Sequence, residues 1–105
     1  MTYWDKVKEL EGRTLKTLDH EKKFDILAVS NKGVIVKPLS TGKERKVPRD
    51  EIDDGAYREL ASNKEITRTT IEAKFSPRNP VYVAAILAEL PGVRYKIRPI
   101  RLWLS

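Results

Sequence analysis

The stretch from Arg78 to Gly92 constrains the fold more than any other part of the chain. Asn79 and Pro80 open it. An Asn side chain suits the N-cap, where it accepts from a free first-turn amide, and Pro suits the first helical position, where no N–H is needed. Pro91 and Gly92 close it. Between these marks Val83, Ile86, Leu87 and Leu90 recur at i, i+3, i+4 and i+7, the spacing of a core stripe. Ala84, Ala85 and Ala88 occupy the other faces, with Glu89 the only charge. Small side chains there let a second layer of structure approach closely. A helix over 79–90 with this composition is expected to be scaffold, and the remaining chain must supply what packs on it.

Upstream the hydrophobic period is two. Thr14–Leu18, Phe24–Ser30, Val34–Leu39 and Glu44–Val47 read as four strands separated by short polar turns. Loops this short do not allow parallel crossovers, so the strands form an antiparallel meander. Phe24–Ser30 is mostly apolar and is expected to be central. Pro38 cannot donate to a ladder and marks an edge or bulge, and the charged Glu44–Val47 suits an exposed edge. Gly33 in Asn31-Lys32-Gly33 supplies the positive φ of a tight turn. The meander can curl into an SH3-like barrel or stay open. Before it, Thr2–Glu11 reads as a short helix, with Thr2 and Asp5 as a capping pair, Tyr3, Val7 and Leu10 on one face, and Gly12 as its stop.

Downstream the spacing returns to 3.6. A helix over 50–61 carries Ile52, Ala56 and Leu60, with Gly55 as an internal weakness of about 1 kcal/mol and Asn63 as a left-handed cap. A short extended piece, 65–67, precedes a helix over 68–75, capped at Thr67 or Thr69, with Thr69 and Glu72 spaced as a capping box. After Gly92, residues 93–98 alternate as a half-buried strand. Pro99 interrupts it, and with no Gly or Asn nearby no hairpin is expected there. Ile100–Leu104 is apolar enough to rejoin a sheet and tie the halves together. The fold class is therefore α+β over a single domain, 1–105. Residues 1–47 supply a helix and a meander, and 48–105 supply three helices and a basic terminal strand.

Ile66-Thr67-Arg68-Thr69-Thr70-Ile71, and the helix ending Ala-Ile-Leu-Ala-Glu-Leu-Pro-Gly-Val, resemble a winged helix-turn-helix across about half the chain. The resemblance implies DNA contacts from Arg68, Arg78, Asn79 and Tyr82 near helix starts, and from Arg94, Lys96 and Arg98 in the wing position. It is a likeness of fold order only. The apolar 79–90 helix departs from a groove reader, which needs side chains that hydrogen-bond to bases.

Charge points the same way. Of a net charge of +6, residues 1–67 hold 14 bases against 13 acids, whereas residues 68–105 hold seven against two. A basic region attracts polyanions by releasing their counterions. Arg94, Lys96 and Arg98 fall on one strand face, and Trp103 has the chemistry to stack a base. Lys43 and Arg45, with Lys46 and Arg49, make a second basic cluster. The expected partner is nucleic acid, DNA in preference to RNA. The rival is a protein–protein module or homodimer that uses the alanine face of the 79–90 helix and the apolar tail.

Other chemistries find little support. Asp25 with Glu44-x-Lys46 loosely matches a Mg²⁺ nuclease set, but Glu-x-Lys is common in a lysine-rich chain. His20 stands alone in a polar turn. Ser40-Thr41-Gly42-Lys43 lacks the first glycine of a phosphate loop and reads as a hairpin turn. No catalytic residue, metal or cofactor is expected. The chain has no cysteine, which excludes disulfides. Without an apolar run of ~20 residues or an apolar leader, a cytoplasmic location with no membrane contact is expected.

Overall fold

The computed structural model describes residues 3–104, so the Thr2–Asp5 capping pair lies outside the described residues. The elements run α1 (Tyr3–Lys8), β1 (Thr14–Lys16), β2 (Lys23–Ser30), β3 (Gly33–Pro38) and β4 (Arg45–Pro48). A π-helical stretch, Glu51–Tyr57, leads into α2 (Arg58–Asn63). Then come β5 (Glu65–Thr67), α3 (Arg68–Thr70) with a π-helical extension Ile71–Phe75, α4 (Pro80–Ala88), β6 (Val93–Lys96) and β7 (Arg101–Leu104).

The meander forms as the alternation demands. β1 to β4 pair in sequence order and antiparallel throughout. β1 and β4 do not pair, so the sheet stays open rather than closing as a barrel. Its inner face carries Leu15, Phe24, Ile26, Val34, Val36 and Val47, all buried. A bulge between Ile26 and Ala28 leaves Leu27 exposed. At Pro38, β3 has already run past the end of β4, so the missing N–H costs no ladder bond on that side. Gly33 is required in its turn. Its φ is +154°, and a Cβ there would come within 2.4 Å of the Val47 carbonyl oxygen.

α1 closes one end of this sheet. The Trp4 indole donates to the Ser30 carbonyl at 3.2 Å, and the Arg49 guanidinium lies 4.7 Å over the Trp4 ring. Arg49 is fixed by Asp53 at 2.8 Å. Tyr3 stacks on Tyr57, with ring centroids 3.6 Å apart. Burial, reinforced by the neighbouring Asp53 carboxylate, holds the Tyr3 hydroxyl far above the ordinary phenol range. Asp53 is not in hydrogen-bond alignment with it.

The C-terminal part corrects the sequence expectation. Ile100–Leu104 does not join the meander. Val93–Lys96 and Arg101–Leu104 form a hairpin, and Glu65–Thr67 pairs on the far side of β7, giving a separate antiparallel sheet of order β5-β7-β6. Arg98, at φ +65° before a cis Arg98–Pro99 peptide, takes the left-handed position for which a Gly or Asn seemed necessary. β5 lies close enough to satisfy β7, which leaves no call on the meander. Two caps also differ. Lys64, not Asn63, takes the left-handed φ of +68° after α2, while the Asn63 amide turns back to Glu59. Thr67 caps α3, accepting from the Thr70 amide at 3.2 Å.

α4 runs through the middle. Val83, Ala84, Ala85, Ile86 and Leu87 are all buried, as a helix apolar on every face must be. It touches β1 on one side and β6 and β7 on another, besides the two π-helical stretches. The inner faces of both sheets thus belong to one core.

Candidate nucleic-acid interface

Residues directly opposite in an antiparallel pair share a face. In the small sheet, Ile66, Leu102 and Tyr95 form one rung, and Ile66 and Leu102 are buried, so this is the inner face. The outer face then follows from register. Glu65, Trp103 and Arg94 form one rung; Thr67, Arg101 and Lys96 form the next. Arg98 stands at the hairpin tip just beyond, and Arg68 begins α3 directly after Thr67. The Arg68 amide donates to the Ile100 carbonyl at 3.1 Å, which ties the start of α3 to the hairpin turn. Of the residues expected from sequence, Arg94 and Lys96 therefore share the outer face of this sheet, and Arg68 and Arg98 stand at its end nearest the hairpin turn. Arg101 joins them.

These side chains are only loosely held. Arg101 lies 5.7 Å from the centroid of the Trp103 ring, within cation–π distance. Its carboxylate neighbour, Glu65, is at 3.8 Å, and Glu72 is 3.9 Å from Arg68. Both distances are too long for hydrogen bonds. The Nε atoms of Arg68 and Arg101 are shielded from water and have no acceptor within the protein. Each guanidinium is partly exposed, so its outer donors are open to an incoming oxyanion. Arg94, Lys96 and Arg98 are exposed. Among the described residues none of the three makes an ion pair.

The structure places the other expected residues elsewhere. Arg45 lies on the inner side of β4 at its exposed end, opposite Val36. Its guanidinium donates to the Arg78 carbonyl and to Asn79 Oδ1, each at 3.3 Å, and lies 5.9 Å from the Tyr82 ring. Tyr82 in turn meets Phe24 edge-on at 5.0 Å. Asn79 is 6% exposed. Its amide donates to the Lys46 carbonyl at 3.4 Å, and its side chain does not cap α4, contrary to expectation. Its Oδ1, the atom a cap would use, accepts from the Arg45 guanidinium instead. Arg45, Asn79 and Tyr82 together form the seam that fastens the meander to the start of α4. Arg78 and Lys43 are exposed beside that seam.

α4 is buried over Val83–Leu87 and its start is fastened to β4, so it does not stand out from the chain as a groove reader does. Ala85 stands in a groove with Leu15 and Thr17 of the meander edge, and Arg13 reaches Glu89 at 3.2 Å across it. The same packing occupies the alanine face proposed for a homodimer, and Ile100 and Leu102 of the apolar tail are buried in the chain's own core.

Asp25 accepts from the Thr14 hydroxyl. Among the described residues no group of three His, Asp or Glu side chains gathers at metal-binding distance. His20 lies 3.5 Å from the Asp19 carboxylate in an exposed turn. Among the described residues no helix is long and apolar enough to cross a membrane. Comparison with protein-family models, curated proteins and solved structures finds no match to this chain.

Sequence reasoning did not put Arg101 in the site. Its signal was the basic-aromatic pair Arg101-x-Trp103, which has the period of a strand. Only the hairpin register places that pair beside Arg94 and Lys96.

Proposed function

We propose that this protein is a non-enzymatic nucleic-acid-binding module that uses the outer face of the β5-β7-β6 sheet. Arg68, Arg94, Lys96, Arg98 and Arg101 hold successive phosphates, and Trp103 stacks a base. The observation that carries the reading is the single solvent face shared by Trp103, Arg101, Arg94 and Lys96. A positive surface with an aromatic platform is what sequence-tolerant single-strand binders use. Single-stranded DNA is favoured over duplex, because α4 offers no base-reading side chain to a groove.

The test is fluorescence anisotropy with an oligothymidylate of about 12 nucleotides, a length within the site size of small single-strand binders. Five phosphate contacts give a slope of log affinity against log salt of roughly −3.5, at ~0.7 per contact on a single strand. Arg94→Glu combined with Arg101→Glu is expected to lower affinity by about two orders of magnitude at ~50 mM salt and to flatten that slope. Binding by the wild type that ignores salt, or a double variant that binds as tightly, would sink the reading.

A further inference from the structure

We infer that the solvent face of the four-stranded sheet is a second nucleic-acid contact surface, so that one chain bridges two strands. The inference rests on the nucleic-acid reading above and extends it to a different surface.

Each strand of the meander places one lysine on its outer side. Lys16 of β1 stands directly opposite Lys23 of β2. Lys37 of β3 lies one rung further along, opposite Asp25. Lys46 of β4 lies one rung beyond that, opposite Ile35. The four form a diagonal row, advancing ~4.8 Å across and ~7 Å along the strands at each of its last two steps. The flexible lysine stem lets such a row follow successive phosphates.

The row carries more positive charge than its face balances. Among the described residues none of the four lysines makes an ion pair. The carboxylate that the register puts among them, Asp25, accepts from the Thr14 hydroxyl and offsets one of the four charges. Meanwhile Lys16 and Lys23 face each other directly, an arrangement that destabilises a sheet. A polyanion laid along the diagonal removes that repulsion.

The lysine row and the Trp103 face cannot share one short ligand. Leu15, Phe24, Val36 and Val47 turn inward from the first sheet, and Ile66 and Leu102 turn inward from the second, all into one core against α4. The two outer faces therefore look in different directions. Leu27 and Leu39 are exposed near the lysine row and raise the alternative of an anionic lipid surface. No aromatic side chain stands on this face, and aromatic anchors are what interfacial binding uses, so nucleic acid is the better fit.

The experiment counts strands per chain. Short oligothymidylate is titrated at low salt, and capture of a fluorescent oligonucleotide by a bead-bound one is followed in parallel. Wild type is expected to bind two oligonucleotides per chain and to bridge. Lys37→Glu with Lys46→Glu, both side chains on the solvent side, is expected to fall to one per chain, stop bridging and still bind through the Trp103 face. Arg94→Glu with Arg101→Glu should also fall to one. Circular dichroism, with Lys37→Ala/Lys46→Ala as a milder pair, separates loss of charge from loss of fold. One oligonucleotide per wild-type chain, unchanged by the lysine reversals, overturns the bridge and leaves the first reading standing. No binding at all overturns both. Retention of phosphatidylserine vesicles that the lysine reversals abolish, without change in oligonucleotide count, assigns the face to lipid and overturns the inference.

Discussion

The two sheets of this protein present opposite solutions to a basic surface. The meander face carries four lysines, one on each strand, with the Asp25 carboxylate opposite Lys37. The small sheet carries mainly arginines, with Arg101 beside the Trp103 ring and Glu65 at the rim of the same rung. Lysine is a hydrated point charge on a long stem, whereas arginine is a planar fork that stacks and binds bidentately. The first face can attract a polyanion but has nothing with which to grip a base. The second can do both. If the comparison holds, the two faces should fail in different ways when altered.

Trp103→Ala should have the largest effect. Loss of one stacked base costs about 1–3 kcal/mol, a loss of roughly five- to 150-fold in single-strand affinity. The salt slope should stay where it was, because no phosphate contact is removed. A change in slope without a change in affinity would mean that the indole only positions Arg101, and the contrast between the faces would collapse to one of charge count.

Gly55→Ala comes next, and asks whether both faces ride on one core. Gly55 is buried where the two π-helical stretches meet, and a Cβ there would approach Phe75 Cδ1 to 2.8 Å. Overpacking of this kind costs about 1–3 kcal/mol, less the ~1 kcal/mol that alanine returns in helix propensity. A fall in Tm of roughly 5–10 °C by circular dichroism is expected. Binding through both faces, measured well below that transition, should persist. Loss of one face alone would show that the sheets are held independently.

Gly55 also shows how far the sequence could be read. As a letter it looks like a helix-breaking liability. Its use, as the place where Phe75 packs, appears only when two helices twenty residues apart are brought together. The strands of the meander, the helix order and the buried character of α4 were legible because each is a local pattern: alternation, capping residues, an apolar stripe. The hairpin at 97–100 was not, because Arg98 takes a conformation that its type seldom adopts. Arg101 was missed because Pro99 breaks the alternation, and only cross-strand register tells which face follows. The lysine row was hidden by arithmetic. Residues 14–48 hold eight bases and four acids, but residues 49–67 hold six acids and three bases, so a running sum of charge nearly cancels. Asn79 and Tyr82 had the chemistry of contact residues, but were claimed by Arg45 and Phe24 in a seam that no local pattern announces.

Lys37→Ala is the smaller test on the meander side. One lost phosphate contact should make the salt slope shallower by ~0.7, with affinity at that face reduced severalfold. An effect on base preference would contradict a face that senses charge alone.

Glu65→Gln should have the smallest effect and the opposite sign. Glu65 is the acid on the Trp103 rung, and its 3.8 Å approach to Arg101 is an exposed ion pair worth at most ~1 kcal/mol. Removing the charge costs the fold little, frees the Arg101 guanidinium and takes a repulsive group away from an arriving phosphate. A two- to fivefold gain in single-strand affinity is expected, together with a slightly steeper salt slope, as measured by anisotropy. The gain should vanish in an Arg101→Ala background, because Glu65 acts chiefly through that residue. A loss of affinity instead would mean that Glu65 holds Arg101 in its stacked pose over Trp103. The acid would then belong to the pre-organisation that separates this face from the lysine row.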